Sequence, residues 1–284
     1  MKIFQKISQL KSYAFESRRK KKTVGFVPTM GALHEGHLSL VRLAKKENKR
    51  VVVSIFVNPL QFEPQDDFWR YPRDLVRDTK LLLSEKVDVL FTPNPKEFYS
   101  GDFGTSVSVK KISLPLCGIS RPAHFAGVAT VVLKLLNLVQ PNALYLGQKD
   151  YQQVRVIEQM IKDLELDVRV RVAPIVREKN GLAMSSRNSL LKPIERQEAA
   201  YLYEALTKAK ELIESGIEDP AKIKKLMNAV LKDAAHGRID YLEIVDPVTL
   251  ESLVKLKNKS RSLIALAVFF GKTRLIDNSI VDVP

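Results

Sequence analysis

Along roughly the first 175 residues, short apolar runs alternate with stretches in which apolar positions recur every three or four residues. Residues 24–28, 51–57, 87–91 and 143–146 read as strands. The run Val51-Val-Val-Ser-Ile-Phe-Val57 is apolar on successive positions, as a strand buried on both faces requires. Residues 37–48, 75–84, 128–138 and 151–164 carry helical spacing, and 168–176 closes this half with a strand that alternates Arg and Val. Strand and helix in regular alternation predict a parallel α/β sheet.

Beyond residue 175 the order changes. Residues 193–215 and 220–236 read as long helices, and 239–245, 263–270 and 274–281 as strands. Helices followed by grouped strands predict a separate, smaller α+β unit. The expected division is therefore 1–175 and 176–284.

Composition changes this picture little. A chain of 284 residues, 45% hydrophobic and 27% charged, can bury a large core, and the disordered and fibrous classes drop out. The net charge of +14 would attract nucleic acid, an acidic membrane or a phosphate-bearing substrate. Basic residues are spread along the chain apart from the run 18–22, so a solvated basic face is favoured over nucleic-acid binding. Cys117 is the only cysteine, which precludes an intramolecular disulfide and suits a reducing compartment. Residues 1–22 are basic and amphipathic but lack the apolar core of a signal peptide. The apolar stretches 128–139 and 263–270 are too short or too interrupted to span a bilayer. A cytoplasmic protein with no membrane or nucleic-acid partner is expected.

The chemistry concentrates at the end of the first strand, in Val24-Gly-Phe-Val-Pro-Thr-Met-Gly-Ala-Leu-His-Glu-Gly-His37. His34 and His37 stand three apart where a helix begins, a spacing that turns both imidazoles to one face. Helix N-termini attract phosphate, and Gly31 and Gly36 remove side chains where a nucleotide would approach. Two imidazole donors there could stabilise charge at an α-phosphorus, at about 3–4 kcal/mol per donor in comparable sites. Capping histidines or a pair of metal ligands are the alternatives. Only two other histidines and one cysteine are available to complete a zinc site, so no metal ligands are assigned.

This segment resembles the HIGH-type signature of the nucleotidyl-transferring α/β superfamily. The form Pro28-Thr-Met-Gly-Ala-Leu-His-Glu-Gly-His37 resembles, more narrowly, that of the pantothenate synthetase (pantoate–β-alanine ligase) family. The resemblance implies a Rossmann-like N-terminal domain, with Met30, Gly31, Ala32, Leu33, His34, Glu35, Gly36 and His37 binding ATP.

Four further segments follow in that family's order. Asn58 and Gln61, in Val53-Ser-Ile-Phe-Val-Asn-Pro-Leu-Gln-Phe62, lie just past a strand's C-terminal end, where α/β sheets bind ligands. Their amides could hold hydroxyls and a carboxylate, or form an Asx/Pro turn. The resemblance gives Gln61 to pantoate and β-alanine, with Asn58 and Tyr71 shaping the pocket. Gly118-Ile-Ser-Arg-Pro-Ala-His-Phe-Ala-Gly127 places Arg121 and His124 before a helix. Such residues are commonly solvated, and the resemblance makes them line the site. Ala123 stands where the family commonly has Gly.

In Leu146-Gly-Gln-Lys-Asp-Tyr-Gln-Gln153, Gly147 permits close approach and Lys149 can pair with phosphate. Asp150 can serve a ribose hydroxyl, a magnesium shell or a helix cap. By resemblance Gly147, Gln148, Lys149 and Asp150 bind ATP and Gln153 binds pantoate, although the family often has Glu at Gln148. Val176 and the segment Met184-Ser-Ser-Arg187 mark the domain junction, and by resemblance all of them bind ATP. Met184, Ser185, Ser186 and Arg187 look like the family's phosphate-gripping loop, and a polar hinge would have the same composition. Phe269-Phe-Gly-Lys-Thr-Arg-Leu-Ile-Asp-Asn278 matches the family as well and reads as a core strand.

The function so implied is an ATP-dependent, AMP-forming ligase acting through a pantoyl-adenylate. His34, His37, Lys149 and Arg187 stabilise charge, His37 can donate a proton, Mg²⁺ accompanies ATP, and the protein is a homodimer. A nucleotidylyltransferase would share the histidines without needing Asn58 and Gln61. A basic RNA-binding module would call for clustered cations and interleaved aromatics, which this chain lacks.

Overall fold

The computed structural model describes residues 1–63 and 68–284 and divides into two compact units. The first comprises 1–109, 123–148 and 153–176. Its sheet contains β1 (Lys2–Phe4), β2 (Val24–Thr29), β3 (Arg50–Ile55), β4 (Val89–Phe91), β5 (Ala143–Gly147) and β6 (Arg169–Ala173), in the order β1-β4-β3-β2-β5-β6. Every pairing is parallel, with Gly25 of β2 opposite both Val51 and Ala143. Its longer helices are α1 (Ile7–Arg19), α2 (Glu35–Glu47), α3 (Leu75–Ser84), α4 (His124–Val139) and α5 (Tyr151–Asp163), with a single turn at Pro95–Phe98.

Val27, Val41, Ala44, Val53, Leu90 and Tyr145 have no solvent-exposed surface in this core. Each large apolar side chain so buried contributes about 1.5–3 kcal/mol. From β2 the chain builds outward through β3 and β4, then returns to lay β5 on β2's other side. The order of strands thus reverses between β2 and β5, and ligands of open α/β sheets bind at the carboxyl ends of such a pair.

Several features differ from the sequence pattern: the helix expected over 220–236 ends at Leu231, before the turn that leads into the strand Gly237–Val245, and the amphipathic N-terminus forms the helix α1. β1 is an edge strand of three largely exposed residues, too short to show a period. The helix expected over 193–215 is two helices, Pro193–Glu198 and α6 (Tyr201–Glu214). Around Ala199 and Ala200 the bonds tighten to i→i+3, as in Leu202 N–H to Ala199 C=O and Tyr203 N–H to Ala200 C=O. The Glu198 carboxylate accepts from the backbone N–H of His236 and pairs with its ring, fixing the break by a contact distant in sequence.

The second unit comprises 110–122, 149–152 and 177–284. Its antiparallel sheet joins β7 (Gly237–Val245), β8 (Arg261–Phe270) and β9 (Thr273–Asp282) in that order. Helix α6 and helix α7 (Pro220–Leu231) share its core, in which Leu206, Ile223, Met227, Ile264, Leu266 and Val268 are buried. Asp219 caps α7, and Pro220 occupies the first helical position, where no N–H is needed. Two short segments from the first half, 110–122 and 149–152, cluster with this unit, and nothing in their hydrophobic pattern marks them. Among the described residues no helix is long and apolar enough to cross a membrane.

Candidate functional site

At the end of β2, Thr29 Oγ1 donates to the Ser54 carbonyl (2.8 Å) and accepts from Gly31 N–H (3.2 Å). The chain then turns through Gly31 at φ +87° and Ala32 at φ +49°. A glycine holds the first conformation without strain, and an alanine needs support in the second. Asp78 of α3 supplies it, accepting Ala32 N–H at 2.7 Å and Leu33 N–H at 2.8 Å. Burial raises the Asp78 carboxyl above its ordinary range, against the pull of those two N–H groups. Arg77 adds a bond from Nη1 to the Leu33 carbonyl (3.0 Å).

Beyond the turn, His34 is the N-cap of α2 and lies just outside the helix. Its Nδ1 accepts Gly36 N–H (3.2 Å), and His37 Nδ1 accepts His34 N–H (3.3 Å). The ring centroids are 4.1 Å apart. A Cβ on Gly36 would lie 3.0 Å from the His34 ring, so glycine admits the fold-back. Because both Nδ1 atoms accept, the hydrogen-bond network assigns the proton of each neutral ring to Nε2. Each imidazole is thereby set as an Nε2–H donor. Glu35 in the same turn pairs with Arg42.

Beside this turn the amides of the first unit form a connected set. Asn58 Nδ2 donates to Gln61 Oε1 and to the Gly127 carbonyl, each at 3.1 Å. Its Oδ1 accepts Leu60 N–H (3.3 Å) and the Tyr99 hydroxyl (2.9 Å). The Gln61 amide is therefore polarised, with Oε1 toward Asn58 and Nε2 3.2 Å from Met30 Sδ. His124 Nδ1 lies 2.8 Å from the Gln61 carbonyl. Gly127 allows this approach, since a Cβ there would sit 2.1 Å from the Leu60 carbonyl oxygen. Tyr71 is buried edge-on to Phe62, and Arg73 donates to the Tyr71 carbonyl. Gly147 ends β5 with open space around its Cα, Gln148 follows it, and Gln153 is half-buried in the first turn of α5. Val176 is half-buried at the end of this unit, near Gly36.

The cationic candidates belong to the second unit. Lys149 Nζ is 3.5 Å from Asp150 Oδ1, and Asn278 Nδ2 donates to the Lys149 carbonyl (3.0 Å). Arg121 follows a one-turn helix, Cys117–Ser120, whose last residue donates to Asp240 at 3.0 Å. Arg274 holds the same carboxylate with Nη2 at 2.7 Å and Nε at 3.0 Å. Ser185 caps the turn Ser186–Leu190 through Arg187 N–H, with Met184 just before it. Asn188 of that turn donates to Glu178 and to the Ala183 carbonyl. Arg177 makes a two-pronged pair with Asp277 at 2.6 and 3.0 Å and stacks 4.1 Å from the Tyr203 ring centre. Burial pushes the Asp277 carboxyl up while Arg177 pulls it down.

Within the first unit the structure thus brings together Met30, Asn58, Gln61 and His124, and separately His34 with His37. Asp78, which braces the turn, Tyr99, which bonds Asn58, and Gln152, which bonds the loop before Arg121, carry no role in the sequence pattern, and Asn278, read there as core strand, bonds the Lys149 carbonyl. An aspartate at helical spacing reads as solvent-facing, and an amide in a helix carries no chemical signature of its own.

The family model described as pantoate-beta-alanine ligase matches residues 2–280. A pantothenate synthetase of Caldicellulosiruptor bescii is 54% identical over 282 residues, covering 99% of both chains. One from Thermotoga neapolitana is 54% identical over 281 residues, or 99% of this chain and 100% of the relative. Among solved structures, the pantothenate synthetase of Thermus thermophilus superposes with a TM-score of 0.92 at 44% identity, covering 98% of this chain and 99% of that one. The pantoate-β-alanine ligase of Francisella tularensis, complexed with β-γ ATP and β-alanine, gives 0.82 at 40% identity over 99% and 97%. With that coverage and identity, the chain belongs to the pantoate–β-alanine ligase family, the pantothenate synthetases.

Proposed function

We propose that this protein condenses pantoate with β-alanine at the expense of ATP through a pantoyl-adenylate. A carboxylate is a poor acyl donor because its oxygen leaves badly. Attack of a pantoate carboxylate oxygen on the α-phosphorus breaks the bond to the β-phosphate oxygen and releases diphosphate. The amine of β-alanine then attacks the acyl carbon, loses a proton and expels AMP. Neither step needs a covalent enzyme nucleophile, so alignment and charge stabilisation carry the catalysis.

The observation that carries this function is the histidine turn at the β2–β5 reversal, where both imidazoles are set as Nε2–H donors. Donors fixed before reaction stabilise charge on a phosphate without reorganising. His34 and His37 take the α-phosphate, and the main chain from Met30 to Leu33 with Glu35 and Gly36 lines the nucleotide. Gly147, Gln148, Asp150 and Val176 extend that lining. Lys149, Arg187, Ser185 and Ser186 hold the leaving phosphates, with Met184 beside them. Gln61 presents Nε2 as a donor, which suits an oxygen of pantoate, and Gln153, Asn58, Tyr71, Arg121 and His124 complete the substrate's surroundings. The Francisella relative, complexed with β-γ ATP and β-alanine, supports both ligands.

Magnesium fits as a companion of the nucleotide. Asp150 offers one half-exposed carboxylate, and Mg²⁺ pairs one or two carboxylates with phosphate oxygens. Bound there, the ion would neutralise phosphate charge. Family resemblance also supports a homodimer working in the cytoplasm.

The test is release of AMP and diphosphate from ATP by the purified protein, with pantoate and β-alanine each supplied or omitted. AMP is expected only with both substrates, and its release is lost in His37→Ala with the fold retained. Turnover without pantoate, or none from folded enzyme with all substrates and magnesium, would refute the assignment.

A further inference from the structure

Gln152 has no part in the chemistry above, yet its side chain is buried and every polar atom on it is engaged by one loop. Oε1 accepts Cys117 N–H (3.1 Å), and Nε2 donates to the carbonyls of Ile112 (3.1 Å) and Pro115 (2.6 Å). These atoms belong to a tightly wound segment. Leu116 sits at φ +53° and ψ −116°, and a Cβ on Gly118 would lie 1.8 Å from the Ser113 carbonyl oxygen. The segment ends where Arg121 N–H bonds the Cys117 carbonyl (2.9 Å). One amide thus holds the peptide unit before Cys117, whose own carbonyl holds Arg121. Three residues before Gln152 stands Lys149, fixed in turn by Asn278.

We infer that Gln152 is a positioning residue, which sets the backbone of Arg121, and through it the guanidinium, relative to Lys149 by clamping the loop 112–121 onto the start of α5, three residues after the lysine. The role rests on the one proposed for Arg121. Two cations tied to one turn keep a constant spacing, which matters because one misplaced by about 1 Å can cost a hundredfold in rate. The Ser120–Asp240–Arg274 contacts brace the loop's far end against β7 and β9, and β9 reaches Lys149 through Asn278 four residues further on, a less direct link than that of Gln152. Gln152 joins the loop to the first turn of α5, next to Lys149 in sequence, with three hydrogen bonds.

A double-mutant cycle tests this, because residues acting through one another lose activity non-additively. Gln152→Met, close in size and unable to hydrogen-bond, and Arg121→Met are made singly and together. Each is assayed for kcat and for the KM of ATP and pantoate, with thermal midpoints measured in parallel. Gln152→Met is expected to lower kcat/KM by about tenfold to a hundredfold in the wild-type background. In the Arg121→Met background the further loss should be under about threefold, while the change in midpoint is equal in both backgrounds. Should Gln152→Met fail to fold, Gln152→Glu keeps the acceptor for Cys117 N–H, turns a carboxylate on two carbonyls and enters the same cycle. Equal activity losses in both backgrounds, or none in either, would overturn the inference. Wild-type kinetics in Arg121→Met alone would instead remove Arg121 from the site, a failure visible before Gln152 is touched.

Discussion

Replacing Asp78 by Asn isolates the contact that shapes the histidine turn. The carboxylate receives Ala32 N–H and Leu33 N–H on separate oxygens, 2.7 and 2.8 Å away. An asparagine of the same shape accepts one of them and sets its own NH₂ against the other. The losses are one charged hydrogen bond, about 1.5–3 kcal/mol, and one buried N–H left unmatched, about 1–3 kcal/mol. Relief from burying a carboxylate opposes both, since burial already holds Asp78 above its ordinary range. A net loss of about 1–3 kcal/mol in urea unfolding is expected. Activity should fall further, about tenfold to a hundredfold, because Ala32 at φ +49° loses its restraint and the two histidines follow it.

The pH dependence has a defined sign. A carboxyl raised in the folded state retains a proton there that the unfolded chain has already released. Its contribution is therefore complete below the unfolded pKa and is lost as pH rises through the folded one. The stability of wild type over Asp78→Asn should narrow as pH rises out of the carboxylate range, then level off. A gap that widens with pH, or a variant with wild-type kcat/KM, would refute this account of the turn.

Two more substitutions probe the supports in each unit. Gly127→Ala places a Cβ 2.1 Å from the Leu60 carbonyl oxygen and 2.6 Å from Gln61 N, both backbone atoms that can yield only by moving Asn58 and Gln61. A stability loss of about 1–3 kcal/mol with a raised KM for pantoate is expected by urea unfolding and steady-state kinetics, and an unchanged KM would count against the amide pocket. Arg177→Met leaves Asp277 buried without its partner, at about 3–5 kcal/mol near neutral pH. Losing the cation raises the aspartate further, so the deficit should shrink as pH falls and the carboxyl is protonated, as thermal midpoints across pH would reveal.

Much of the architecture is legible in the chain's own pattern. Runs such as Val51-Val-Val-Ser-Ile-Phe-Val57 could bury both faces only inside a parallel sheet, and the alternation with helices fixed the sheet's class. The histidine turn was legible for a related reason: its glycines, histidines and helix start are consecutive, so its geometry is local. Strand order, the break at Ala199–Ala200 and the short edge strand β1 were not legible, because each depends on partners far away, such as His236 for Glu198. The same holds for the groups that aim the chemistry. Asp78 reaches back 45 residues to Leu33, Tyr99 reaches 41 to Asn58, and Gln152 reaches 35 to Cys117. Local pattern records which side chains can act, because propensity and periodicity span a few residues. Which way those side chains face depends on hydrogen bonds that form once distant segments are packed together, beyond the reach of any local pattern.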